Sequence, residues 1–166
     1  MATAPDPRQR AWARFVTAQA MLLERIEEAL SGADLPPLAW YDVLWILENA
    51  DQGRLRMADL ARQAVVSRSN VTRLTDRMEK AGLVARSDCP HDGRGTVCEL
   101  TAKGRALRAK MWPVYKKQID TLLGKHLDKR EADLISATFE RIIDSSNQVP
   151  ARPKVQEALK AEGLLT

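Results

Sequence analysis

The chain has 166 residues, 45% of them hydrophobic and 29% charged, with a formal net charge of +4 and two cysteines. That suits one domain or a small core with helical extensions, and no apolar run approaches the ~20 residues needed to span a bilayer. The opening residues lack the apolar stretch of a secretory signal and two cysteines cannot staple a secreted scaffold, so a cytoplasmic protein with no membrane partner is expected.

The charge is unevenly divided. Residues 54–117 hold 15 Lys/Arg against 6 Asp/Glu, a net +9, while the remainder holds 11 against 16, a net −5. Such asymmetry suggests one lobe that faces a polyanion, with a merely solvated basic face as the plainer reading.

In chain order, Trp12, Phe15, Val16, Leu22, Leu23, Ile26 and Leu30 recur at helical spacing and predict a long first helix over Arg8–Leu30, interrupted on its stripe by Gln19. Ser31-Gly32 ends it, and Pro36-Pro37 marks a turn before the next helix. That second helix, Leu38–Asn49, contains Val43-Leu44-Trp45-Ile46-Leu47, is apolar on all sides and is expected at the centre of the fold. Met57, Leu60, Ala61 and Ala64 predict a short third helix. Ser67 is placed to cap a fourth that runs to about Ala81, with Val71, Leu74 and Met78 inward and Gly82 as its stop. Leu83-Val84-Ala85-Arg86 and Thr96-Val97-Cys98-Glu99-Leu100 read as two strands joined through a turn at Asp92-Gly93. Thr101 caps a long fifth helix with Leu107, Met111, Ile119 and Leu122 on its stripe and Pro113 inside it, where a kink is expected. Asp128 with Glu131 is a capping pattern for a sixth helix through Ile142 and Ile143.

The expected fold is therefore mainly α with a small β-hairpin, in the order α-α-α-α-β-β-α-α. A short helix, a tight turn, a second helix and a basic hairpin make a winged helix-turn-helix core, here flanked by dimerisation helices. The expected divisions are an N-terminal dimerisation helix over 8–34, a winged helix-turn-helix region over 37–104, C-terminal dimerisation helices over 101–146 and a tail over 147–166 with no assigned role.

The fourth helix carries the functional signal. Asn70, Arg73 and Arg77 are spaced i, i+3, i+7 on a face turned away from Val71, Leu74 and Met78. Arginine and asparagine are the side chains whose paired hydrogen-bonding groups match guanine and adenine edges in the major groove. At the helix start Ser67, Ser69 and Thr72, with Arg68 among them, let the backbone approach phosphate, which the helix N-terminus also favours. A solvated polar face held by an Arg–Asp pair is the competing reading.

From Gly53 to Gly104 the chain strongly resembles the MarR family of bacterial transcriptional regulators. The matching stretches are Leu55-Arg56-Met57-Ala58-Asp59-Leu60-Ala61 and Val71-Thr72-Arg73-Leu74-Thr75-Asp76-Arg77-Met78-Glu79. After them come Gly82-Leu83-Val84, the wing Pro90-His91-Asp92-Gly93-Arg94-Gly95, and Leu100-Thr101-Ala102-Lys103-Gly104. The resemblance implies that Arg94 reaches the minor groove from the wing and that Asp92 braces basic residues between wing and recognition helix. A narrow minor groove concentrates negative potential, which suits a lone arginine on a hairpin tip. Lys103, followed by Arg105, Arg108 and Lys110, is expected to add phosphate contacts.

All eight aromatic residues lie outside 46–111. Core or dimer packing is the plain reading. The resemblance implies a second one, because relatives often bind small aromatic acids between dimer helices and winged lobe. Candidate effector-binding residues are Trp12, Arg14, Trp40, Tyr41, Asp42, Arg86, Trp112 and Tyr115. A turn centred on Asp92-Gly93 would set Cys89 opposite Thr96 and Cys98 opposite Ser87, making the cysteines diagonal neighbours on one face. With His91 they lack any recognised metal-ligand spacing.

No Gly-rich phosphate loop, paired-carboxylate site or nucleophile motif is present, so no enzyme, cofactor or metal is expected. The expected partners are a double-stranded inverted-repeat operator, a second copy of the chain and a small-molecule effector that releases a repressor. The alternatives are a constitutive or a redox- or metal-responsive DNA-binding protein, or an RNA-binding module.

Overall fold

A computed structural model describes residues 6–64, 68–88 and 95–148. The chain divides into two compact units, Met1–Leu122 and Leu123–Thr166. In the first, helix α1 (Pro7–Gly32) starts where Asp6 accepts a 2.8 Å hydrogen bond from the Arg8 N–H, with Pro7 at the first position, where its missing N–H is harmless. Only Ile26 and Leu30 are buried along its 26 residues. Helix α2 (Leu38–Glu48) buries Leu38, Tyr41, Val43, Leu44, Ile46 and Leu47, as a central helix should. Trp45 is the exception to all-round burial and stays 50% exposed.

A strand the sequence reading did not include, β1 (Arg54–Arg56), precedes α3 (Met57–Gln63) and α4 (Arg68–Lys80). Helix α4 stops in a glycine-capped turn. Leu83 N–H donates to the Met78 carbonyl (2.9 Å) and Gly82 N–H to the Glu79 carbonyl (2.8 Å), with Gly82 at φ 72°. Strands β2 (Val84–Asp88) and β3 (Thr96–Leu100) follow, and β3 lies between β1 and β2 in a three-stranded antiparallel sheet. Helix α5 (Ala102–Leu122) is continuous through Pro113.

The hairpin register differs by one residue from the expected one. Val84 pairs with Leu100 and Arg86 with Cys98, so Ser87 faces Val97 rather than Cys98. Side chains alternate along a strand, and a slip of one residue exchanges its two faces. The expected register would have set Ala85 against Leu100; the observed one buries Val84 with Leu100 and Cys98, a gain in apolar burial. Cys89, Pro90, His91, Asp92, Gly93 and Arg94 lie outside the described residues. The proposed pairing of Cys89 with Thr96 therefore falls outside them too, while Asp88 is seen opposite Thr96.

Two apolar clusters hold this unit together. One joins Val43, Leu44 and Leu47 of α2 to Leu60, Val71, Leu74, Met78, Val84, Cys98 and Leu100. The other joins Ile26, Leu30, Leu35, Leu38, Tyr41 and Met111. Leu107 packs against both.

The second unit carries α6 (Lys129–Gln148), which opens on the anticipated capping box. Glu131 N–H donates to Asp128 Oδ1 at 2.8 Å, and Asp128 N–H donates to Glu131 Oε2 at 2.9 Å. Leu134, Ile135, Phe139, Ile142 and Ile143 on this helix are exposed.

Candidate nucleic-acid interface

Helix α4 separates its faces cleanly. Val71 and Met78 are fully buried and Leu74 nearly so, while Asn70, Thr72, Arg73 and Arg77 are exposed. Thr75, between the two faces, is buried, and its hydroxyl donates back to the Val71 and Thr72 carbonyls, so it needs no partner from outside the helix. Among the described residues no ion pair engages Arg73 or Arg77. Asn70, Arg73 and Arg77 line an open groove of about 690 Å³ with Asp76, Leu74, Pro37, Ala39 and Trp40. Of the other candidates, Ser67 and the side chains of Arg68 and Ser69 lie outside the described residues, as do Asp92 and Arg94.

The basic residues at the start of α5 also make contacts within the chain. Lys103 donates to the Ala81 carbonyl at 2.8 Å and so satisfies the chain end of α4. Arg105 pairs with Glu48 at 3.1 Å, and Arg108, with its side chain only 22% exposed, pairs with the other Glu48 oxygen. Glu48 thus holds two of the four cations, and nothing in the sequence spacing announced it. Thr101, expected as a cap, accepts from Gly104 N–H at 3.0 Å and its hydroxyl also lies at hydrogen-bond distance from the Gly82 and Leu83 carbonyls.

Arg86 is not part of an aromatic pocket. It stands on β2 and ties that strand to α4, with NH1 2.6 Å from Asp76 Oδ1 and NH2 2.5 Å from Glu79 Oε2. Hydrogen bonding from Arg86 holds the Glu79 carboxyl below its usual range, and the same contact raises the guanidinium. The sequence did carry a signal here: acids at 76 and 79, spaced i, i+3, share one side of α4.

Three of the proposed effector residues do come together. The rings of Tyr41 and Trp112 stack at 6.1 Å, and Tyr115 meets Tyr41 edge-on at 5.1 Å and Trp112 at 6.1 Å. Burial raises the Asp42 carboxyl, and the negative charge of Glu27 adds to the shift. Burial likewise raises the Tyr115 hydroxyl, with a contribution from Asp42. Trp40 lines the groove beside Arg73 instead. Trp12 is 67% exposed and touches Phe15, and Arg14 is exposed on the same stretch of α1. Cys98 is buried, and burial pushes its thiol up to about 11, which makes it a poor thiolate. Among the described residues no cluster of His, Cys, Asp or Glu is placed to hold a metal, and no helix is long and apolar enough to cross a membrane.

A short helix–turn–helix beside a three-stranded sheet, with asparagine and arginines exposed along the second helix, defines a winged helix-turn-helix whose polar face suits duplex DNA. Residues 33–95 match the model of the MarR family. The HTH-type transcriptional regulator FarR of Neisseria gonorrhoeae is 29% identical over 136 residues, covering 80% of this chain and 90% of FarR. A MarR family transcriptional regulator from Streptomyces coelicolor, solved in complex with DNA, shares the fold with a TM-score of 0.81 at 23% identity, over 93% of this chain and 97% of its own. Bordetella bronchiseptica BpsR, whose DNA binding is regulated by 6-hydroxynicotinic acid, has the same fold with a TM-score of 0.73 at 22% identity, over 86% of this chain and 99% of its own. The chain thus resembles the MarR family of DNA-binding transcriptional regulators in its central region and in its fold.

Proposed function

We propose that the protein is a homodimeric repressor that places one α4 helix from each subunit in successive major grooves of an inverted-repeat operator and leaves DNA when a small planar effector binds. The observation that carries the DNA half is the exposed Asn70–Arg73–Arg77 face set against the buried Val71–Leu74–Met78 face. Ser67, Arg68, Ser69 and Thr72 are assigned to the same contact, Lys103 to phosphate at the start of α5, Arg94 to the minor groove and Asp92 to bracing the wing.

Dimerisation draws its support from exposed apolar side chains on two separate helices, Trp12, Phe15, Val16 and Met21 on α1 and Leu134, Ile142 and Ile143 on α6. Surfaces of that kind mark contact sites in soluble proteins. A dimer seated across an operator excludes other proteins from that stretch of duplex, which favours repression.

The effector reading rests on the Tyr41–Trp112–Tyr115 ring cluster and on BpsR as a ligand-regulated relative in fold. With Arg86 committed to Asp76 and Glu79, an anionic effector depends on Arg14, and Trp12 is assigned to the same site. Release requires tighter ligand binding to the DNA-free state, by ~5 kcal/mol for a near-complete switch.

Fluorescence-polarisation titration with duplex DNA and single-stranded RNA over a range of salt tests the DNA reading. Steep salt dependence on duplex alone is expected, and equal affinity for RNA overturns it. Aromatic acids and purines are then screened for operator release. Stabilisation without release would leave a constitutive binder with a packed aromatic core.

A further inference from the structure

Asp76 lies among the recognition residues. It comes three positions after Arg73 and directly before Arg77, and it shares the groove that Asn70, Arg73 and Arg77 line. On a helix surface a carboxylate three residues from an arginine is within its reach, and such pairs form readily. Here the carboxylate goes elsewhere. Its Oδ1 is 2.6 Å from NH1 of Arg86, across the gap between α4 and β2.

Glu79 fixes the position of that guanidinium. Its Oε2 accepts from Arg86 NH2 at 2.5 Å and from Nε at 2.9 Å, and its Oε1 accepts from the Arg86 backbone N–H at 3.1 Å. One edge of the fork is thereby occupied, and the remaining terminal nitrogen is turned to Asp76. A planar guanidinium can serve two carboxylates in this way, whereas a lysine ammonium has no such fork. Arg86 is 26% exposed and Asp76 43%, so the pair is only partly shielded from the solvent side on which DNA would lie.

We infer that Arg86 is a positioning residue that draws the Asp76 carboxylate away from the recognition face and so leaves Arg73 and Arg77 for the duplex. Without Arg86, Asp76 is an uncompensated negative charge among the groups that meet DNA. It then captures Arg73 one turn back and repels phosphate. This role rests on the reading of α4 as the recognition helix. The competing role is purely structural: Arg86 only fastens the first wing strand to α4, and Asp76 is one of its two anchors.

The two roles differ in what Asp76→Asn does. Operator affinity is measured by fluorescence polarisation for the parent, Arg86→Gln, Asp76→Asn and the double variant, with thermal melts to confirm folding. Positioning predicts that Arg86→Gln weakens operator binding about ten-fold, within the range seen for neighbours in one ion-pair network, and that adding Asp76→Asn restores most of that loss. Asp76→Asn alone stays near the parent, because its charge is already withdrawn. A double variant as weak as Arg86→Gln, or weaker, overturns the inference in favour of a wing anchor. Should Arg86→Gln fail to fold, Arg86→Lys keeps a cation without the fork, and a partial loss rescued by Asp76→Asn is expected. Arg73→Ala serves as the control for the underlying reading. If it binds the operator like the parent, α4 is not the recognition helix and the inference falls with it, whereas a weak Arg73→Ala beside an unrescued double variant rejects the positioning role alone.

Discussion

Gly104 of α5 and the carbonyl oxygen of Leu83 touch with no room for a side chain between them. A Cβ on Gly104 would stand 2.1 Å from that oxygen and 2.8 Å from Leu100 Cδ1. The helix that leaves the sheet therefore lies directly on the turn that ends α4, and the Thr101 hydroxyl fastens the same junction. Gly104→Ala must push backbone apart, so a loss of about 1–3 kcal/mol is expected despite the better helix propensity of alanine. Urea titration checks this, and an unchanged midpoint would mean that α5 shifts without cost.

Arg73 and Arg94 are expected to fail in different ways. Arg73→Ala should cost about 1–3 kcal/mol on the operator and relax preference at one base position, since it removes a candidate bidentate base contact. Arg94→Ala should weaken binding most where the flanking sequence is rich in A·T, because its proposed target is the narrow minor groove. Selection from a randomised operator library reads both effects, and two variants that select the parent's site with the parent's affinity would contradict the assignment.

Asp42 gives a pH signature with a definite sign. Burial raises its carboxyl, and Glu27 adds to the effect, so the folded protein binds this proton more tightly than the unfolded chain does. Stability therefore falls as pH rises from the ordinary carboxylate pKa of ~4 through the raised folded value. Asp42→Asn removes the charge and should raise the melting temperature at neutral pH, with the difference closing in acid. A variant that is less stable at neutral pH would show that the Asp42 charge is compensated.

The exposed apolar face of α6 should be covered by a second subunit. Leu134→Glu with Ile143→Glu alters side chains that are 64% and 57% exposed, so the single chain should still fold. Sedimentation at micromolar concentration is expected to show a dimer for the parent and a monomer for the double variant, with loss of preference for paired half-sites. A variant that stays dimeric moves the interface off this face.

Much of this architecture was legible in the residues because its signals are local. The Val71, Leu74 and Met78 spacing, the Gly82 stop and the Asp128–Glu131 box each lie within about two turns of one helix, where periodicity and capping speak directly. Strand β1 was not legible, since Arg54–Arg56 offers one apolar residue and gains its place only by pairing with β3. The wing register was misjudged because a favourable dipeptide at 92–93 was weighed without the burial of Val84. The Glu48–Arg105–Arg108 group joins residues far apart in sequence and left no spacing to find. At the site, the exposed arginines followed from periodicity, while the commitment of Arg86 to α4 depended on the fold.

The division of labour along α4 has a consequence for how such a protein changes over generations. Val71, Leu74, Thr75 and Met78 hold the helix in the fold, whereas Asn70, Thr72, Arg73 and Arg77 are exposed. Substitutions at exposed positions outside special contacts usually alter stability by no more than ~0.5 kcal/mol. On the proposed reading of α4, operator preference can therefore drift, or be redesigned, with little penalty in folding. On the positioning role inferred above, Asp76 is a tether on that freedom, and its neighbours must be chosen so that none competes with Arg86 for its carboxylate.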